Sequence, residues 1–319
     1  MDFGSSFQDK GSSPFDPTGA KGPGRSSSVP ALSTLGQETS PVAGPRTGNF
    51  NSVIPTPVRP DRLRAWLDGY NEKDKEILVR GFVGGFDVGY VGGISARDCK
   101  NLVSAFDLPH IVDKKIRKEV LKGRIAGPFQ QPPFPDFHIS PLGVVPKKDP
   151  GTYRLIHHLS HPKGVSVNDH IPDEVVKVRY QTIDTAIHLI KTAGKGAFLA
   201  KTDVSEAFRI MPVRPDQYNL FGMRWKGQFY FDKCLPMGCR SSCKIFECFS
   251  SALQWIAQQK LKVKHVSHVL DDFLFIDRSV AGCGRALDLF INLCQDLGVP
   301  IADDKTFAPS TVMTFLGYV

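Results

Sequence analysis

Two apolar, β-rich runs, residues 263–269 and 273–276, are separated only by Leu270-Asp271-Asp272. A connection that short between two strands is a hairpin turn, so two adjacent carboxylates sit at or beside it between strongly apolar flanks. A third carboxylate, Asp203, ends another short apolar run at 197–202. Removing a carboxylate from water costs several kcal/mol unless a partner compensates, and a divalent cation is one such partner. Taken alone, Asp-Asp at a hairpin tip also fits an ordinary exposed turn.

The rest of the chain supplies elements for this hairpin to pack against. Residues 223–231 read as a hairpin turning at Lys226-Gly227. Phe246, Phe249, Leu253 and Ile256 mark a helix over 240–259, and Leu287, Phe290, Leu293, Cys294 and Leu297 mark a last helix closed by Gly298. Residues 139–159 read as a hairpin with a basic tip at Lys147-Lys148. This order of strands and helices predicts an α+β fold in which an antiparallel sheet is backed by helices on one face.

Composition separates the ends of the chain. Gly, Pro and Ser make up close to half of residues 1–60, which lack apolar periodicity and are expected to form a disordered tail. Short helices are expected from residue 61 onward. The chain carries a net charge of +8, concentrated in 61–165. Residues 113–124 read as a helix with a cationic outer face, in which Lys114, Lys115, Lys118, Lys122 and Arg124 are candidate nucleic-acid contacts and a solvated surface helix is the plain alternative.

No stretch of about 18 apolar residues and no secretory leader pattern is present, so no membrane partner is expected and the chain reads as soluble and intracellular. The 7 cysteines are an odd count, which fits reduced thiols. Cys239, Cys243 and Cys248 lack a Cys-x2-Cys pair, and of His157, His158 and His161 the adjacent two would face opposite sides of a strand. Neither group suits a zinc site.

Asp203-Val204-Ser205-Glu206-Ala207-Phe208, Leu235-Pro236-Met237-Gly238 and Val269-Leu270-Asp271-Asp272 resemble, in order, motifs A, B and C of the reverse transcriptase palm. The hairpin from Ser140 to Ile156, closed by Asn168, resembles the fingers; Ile301 to Thr306 and Phe315-Leu316-Gly317 resemble motifs D and E. Within the family, the wording is similar to tyrosine-recombinase retroelements of the DIRS and Ngaro type. It rests on Gly123 to Phe129, Arg154 to Ser160 and Ser166-Val167-Asn168-Asp169.

The resemblance implies a right-hand polymerase with palm and fingers. Residues 61–138 would form a helical N-terminal region, 139–180 the fingers hairpin and 181–319 the palm, with 212–232 contributing to the fingers. It implies an RNA-directed DNA polymerase acting on an RNA or DNA template with primer and on dNTPs. The cofactor would be two Mg2+ ions, with Mn2+ as a substitute. Asp203 and Asp271 would be direct metal ligands and Asp272 a peripheral one. Lys147 and Arg154 would grip the triphosphate, and Phe208 would exclude a ribose 2′ hydroxyl. Met237 and Gly238 would lie under the nascent base pair, and Lys305 would donate a proton to the pyrophosphate or serve only as a surface ion pair.

Two departures bear on function. Val269 stands where motif C ordinarily has an aromatic residue. The chain also stops at Val319, so on this reading the thumb, RNase H domain and recombinase are absent. A non-catalytic, retroelement-derived nucleic-acid-binding protein is therefore the alternative to an active polymerase. An RNA polymerase on the same palm is a third possibility.

Overall fold

The computed structural model describes residues 55–319 except Ile94 and Lys148. Residues 1–54 of the expected tail, and Lys148 of the basic hairpin tip, lie outside the described residues. The tail was expected to run to residue 60, but its last residues are anchored: Val58 is buried, Thr56 Oγ1 donates to Ile210 O at 2.7 Å, and Arg59 N donates to Leu297 O at 2.8 Å.

In chain order the elements are α1 (Pro60–Trp66), α2 (Glu72–Gly84), α3 (Val103–Asp107), α4 (Pro109–Leu121), β1 (Ile125–Phe129), β2 (Leu142–Pro146) and β3 (Tyr153–His157). Then come α5 (Asp173–Val176), α6 (Ile183–Ala193), β4 (Phe198–Asp203), β5 (Gly222–Trp225), β6 (Gln228–Asp232) and α7 (Ser242–Gln259). The last are β7 (His265–Val269), β8 (Asp272–Asp277), α8 (Val280–Leu297) and β9 (Phe307–Ser310).

The central sheet has the order β7-β8-β4-β9 and is antiparallel throughout. It is covered on both faces, not on one. Phe273 and Phe275 of β8 face a core with Phe249 and Leu253 of α7 and Phe290 of α8, whereas Leu274 and Ile276 face a second core with Ala186 and Ala193 of α6 and Phe315. The reason is in β8 itself, whose Phe-Leu-Phe-Ile run is apolar at every position and so needs cover on each side.

The expected helical region 61–138 is likewise divided. Leu63, Leu67, Leu78 and Phe82 of α1 and α2 join the α7 and α8 core, with the Phe82 and Phe249 rings 4.9 Å apart. Residues 125–129, expected within that helical region, form a strand that pairs with β6 in the antiparallel sheet β1-β6-β5. Val112 and Ile116 of α4 share a smaller core with Leu142 and Val144 of β2 and Met223 and Trp225 of β5. The β5–β6 turn uses Lys226 at φ 49° and Gly227 at φ 75°, a pair of left-handed residues that matches the twist of a two-residue hairpin. Ser279 opens α8 by accepting from Gly282 N, and Gly298 closes it at φ 77°. Among the described residues no helix is long and apolar enough to cross a membrane.

Candidate active site

β4 and β8 are paired so that Asp203 stands opposite Asp272, and Val204 N donates to Asp271 O at 2.9 Å. The end of one strand and the turn of a hairpin nearly 70 residues later are thus joined by backbone hydrogen bonds, which places three carboxylates at one end of the sheet. Asp203 is buried; Asp271 and Asp272 are half-buried. Burial, and then the charge of Asp203, push the Asp271 carboxyl up to about 6 and raise that of Asp272 as well. Lys305 reaches in from the 3-10 turn Asp303–Lys305 and donates to Asp203 Oδ2 at 2.7 Å. Burial opposes its charge, but the bond to Asp203 and the nearby Asp271 and Asp272 hold its ammonium above the ordinary lysine range. Lys305 on Asp203 and Lys201 near Asp272 offset only part of the charge of three carboxylates, which leaves the site electronegative.

The turn is held from behind. Leu270 lies in the left-handed region at φ 54°, which costs a non-glycine residue on the order of 1–3 kcal/mol. Its N–H donates to Glu247 Oε2 at 3.2 Å, and Glu247 Oε1 lies 3.0 Å from His268 Nε2. Glu247 is buried on α7, so it satisfies a backbone donor that would otherwise be stranded where no helix or sheet bond reaches it. Sequence reasoning missed Glu247. Its only signal is a charged residue among the apolar positions of α7.

Phe208 lies in the 3-10 turn Ala207–Ile210, half-buried and edge-on to Phe246 at 5.7 Å. Met237 is 62% exposed, and Gly238 beside it passes so close to β3 that a Cβ would sit 2.2 Å from His157 O. No other residue fits there without moving the backbone. Asn168 ties the same segment down, with Nδ2 donating to Gly238 O at 2.8 Å and Oδ1 accepting from Arg240 N at 2.9 Å. Lys147 and Arg154 are exposed on the β2–β3 hairpin, Arg154 opposite Val145 in register.

The cationic stretch divides in two. Lys114 and Arg117 are exposed on α4. Lys115 is half-buried, and its ammonium is lowered by burial and then by Lys147, Lys118 and Lys114, so the hairpin tip and α4 present neighbouring positive charge. Lys118, Lys122 and Arg124 instead converge on Glu206: Lys118 Nζ at 2.8 Å from Oε1, Lys122 Nζ at 2.7 Å and Arg124 Nη1 at 2.6 Å from Oε2. Burial favours the neutral acid, yet these three donors hold the Glu206 carboxyl far below its ordinary range. Arg124, expected on the nucleic-acid surface, is only 7% exposed and its remaining nitrogens fork onto Glu119. A guanidinium so committed is internal bracing, which corrects its assignment.

Among the described residues, no group of three His, Cys, Asp or Glu side chains is arranged as a preformed ion cage, and Asp203 Oδ2 is turned onto Lys305. The donor set is nonetheless the hard-oxygen type that suits Mg2+ or Mn2+.

The family model for reverse transcriptase (RNA-dependent DNA polymerase) matches residues 145–319. More than half of the chain is matched, and the protein belongs to the reverse transcriptase family. Among solved structures it is similar to the foamy viral protease-reverse transcriptase in complex with dsDNA, at 17% identity and a TM-score of 0.56, covering 83% of this chain and 55% of that one. The form of that protein designated dRH, with ds DNA, gives 16% identity and a TM-score of 0.55 over 81% of this chain and 45% of that one. The complex with RNA/DNA hybrid gives 17% and 0.54 over 81% and 34%. At these identities the likeness concerns the fold, and the chain spans about half the length of the first of these proteins. Comparison with curated protein sequences finds no match.

Proposed function

We propose that this chain is the catalytic core of an RNA-directed DNA polymerase, of retroelement origin and of the DIRS and Ngaro type, that extends a primer 3′ end with dNTPs. The observation that carries the reading is the β4–β8 register, which brings Asp203 beside Asp271 and Asp272 in a half-buried, electronegative site.

Asp203 and Asp271 would hold two divalent cations, Mg2+ or Mn2+, with Asp272 at the periphery. When bound, such ions supply the charge that activates a primer hydroxyl and neutralises a triphosphate. The remaining roles belong to the chain. Lys147 and Arg154, exposed and facing solvent from the hairpin, bind triphosphate oxygens. Phe208 fills the space a 2′ hydroxyl would need. Met237 and the close-packed Gly238 support the nascent base pair. Lys305 holds a proton at Nζ beside the reacting phosphates and is placed to release it to the leaving pyrophosphate. Residues 139–180 form the fingers hairpin, 181–319 the palm, and 212–232 pack with the fingers. The dsDNA and RNA/DNA hybrid bound by the similar foamy viral proteins support a primer–template partner here.

Primer extension on poly(rA)/oligo(dT) with Mg2+, comparing the full chain with Asp271→Asn, tests the reading. Extension lost in the variant supports it, and equal background in both supports a binding protein without turnover. Preference for ribonucleotides would indicate an RNA polymerase instead.

Duplex affinity, followed by fluorescence anisotropy across a KCl series, is expected to fall steeply with salt, because each neutralised phosphate contributes about −0.9 to the slope of log K against log salt. Replacing both Lys114 and Lys115 by Ala is expected to make that slope shallower by about 2. A flat response in the unmodified chain would contradict a phosphate-facing α4.

A further inference from the structure

Glu206 stands three residues beyond Asp203 and two before Phe208, at φ 56°, and opens the 3-10 turn Ala207–Ile210. It is outside the carboxylate trio. Its carboxylate takes Lys118, Lys122 and Arg124 from α4 and the residues just after it. The other end of the same turn is held with equal firmness. Arg209 Nε donates to Glu119 Oε2 at 3.0 Å, the same oxygen that accepts from Arg124 Nε at 2.9 Å. Arg209 Nη2 donates to Asp232 Oδ1 at 2.6 Å, and Nη1 to Cys234 O and Leu235 O, in the segment that leads to Met237.

Phe208 therefore rides on a short turn clamped before and after by one continuous chain of ion pairs. The chain runs from Glu206 through Arg124, Glu119 and Arg209 to Asp232. A steric gate works by contact distance, so its selectivity depends on where the ring is held more than on the ring itself. Left-handed backbone at a residue with a side chain persists only where its surroundings enforce it, and here the enforcing groups come from α4 and the residues just after it.

We propose that Glu206, braced by Arg124, Lys118 and Lys122, is a positioning residue that sets deoxyribose-over-ribose selectivity at Phe208. This rests on the polymerase reading above and adds a specificity determinant to it. It also gives Lys118, Lys122 and Arg124 a task apart from nucleic-acid binding: they link the basic helix and the residues just after it to the nucleotide pocket.

The test uses the full chain with a dideoxy-terminated primer–template and Mg2+, so that nucleotide binding is read without turnover. The dissociation constants of the matched dNTP and of the corresponding ribonucleotide are measured for the unmodified chain, for Glu206→Gln, and for a double variant with Lys118→Ala and Lys122→Ala. The unmodified chain is expected to prefer the deoxynucleotide. Glu206→Gln is expected to lose about tenfold of that preference, about 1.4 kcal/mol, with primer–template affinity unchanged. The double variant is expected to lose a smaller part. A folded Glu206→Gln variant, checked by circular dichroism, that keeps the full preference overturns the inference while leaving the polymerase reading standing. If Glu206→Gln does not fold, the double variant decides, since both lysines are on the surface: an unchanged preference there overturns the inference. An unmodified chain that binds neither nucleotide, or does not distinguish them, overturns the polymerase reading and this inference with it.

Discussion

Asp271→Asn is expected to reduce primer extension at least a thousandfold, about 4 kcal/mol in activation free energy, while making the folded chain more stable at neutral pH in the absence of metal. On the polymerase reading proposed above, the first effect follows from losing a charged oxygen ligand where the charge of the transferring phosphate must be met. The second follows from the cost of keeping Asp271 ionised in a half-buried site beside Asp203. Its carboxyl is raised to about 6 in the fold from an ordinary 3.8, so the folded chain holds the proton more tightly than the unfolded one. Stability from this group is complete below the ordinary value and lost as pH rises through about 6. Asn carries no charge and escapes the loss. In EDTA the variant is expected to exceed the unmodified chain by about 1–3 kcal/mol at pH 7, with the difference vanishing near pH 4. Denaturant unfolding at the two pH values checks this, and a variant less stable at pH 7 would contradict it.

Arg209→Ala is expected to cost about 3–5 kcal/mol of folding stability and to lower the melting temperature by roughly 10 °C. Arg209 is the shared partner of Glu119 and Asp232, and Asp232 is buried with His157, 3.4 Å away, as its remaining side-chain partner among the described residues. Burial opposes ionisation of Asp232, but Arg209 and then His157 draw its carboxyl below the ordinary range. Without Arg209 the balance reverses and the carboxyl rises. The deficit of the variant is therefore expected to shrink as pH falls, because protonating Asp232 removes the stranded charge. By contrast Arg214→Ala, which removes the exposed pairs to Asp87 and Asp216, is expected to cost no more than about 1 kcal/mol. Equal losses in the two variants would show that burial adds nothing to the Arg209 pairs.

Much of the site was legible in the residue order because its chemistry is local. A three-residue connection between two apolar runs forces a hairpin, and its carboxylates can lie only at or beside the turn. Asp203 at the end of a strand then needs one register with β8 to complete the group. Local rules also placed the Lys226-Gly227 turn, the β2–β3 hairpin and the Gly298 helix stop. The second face of the central sheet was harder to see. α6 carries Ile183, Ala186, Ile187 and Ile190 at helical spacing, but only the fully apolar run of β8 shows that a face is waiting for it.

The ion-pair chain was not legible at all. Arg124 and Glu206 are separated by 82 positions and Arg209 and Glu119 by 90, and a cationic helix has the same residue pattern whether its charges face phosphate or a half-buried glutamate. Arg124 was assigned to the surface for that reason. Only the packing of α4 against the turn after Asp203 distinguishes the two.

The central claim is that the β4 end and the β7–β8 turn hold divalent ions jointly, and it is tested most directly by a Mn2+ titration followed by electron paramagnetic resonance. The sample is the full chain with dideoxy-terminated primer–template and a matched dNTP, against the same mixture without protein and against Asp203→Asn. The expected result is tight Mn2+ binding beyond that of the nucleotide and nucleic acid alone, lost in Asp203→Asn. Binding no greater than the protein-free mixture, or binding that survives unchanged in Asp203→Asn, would contradict the claim.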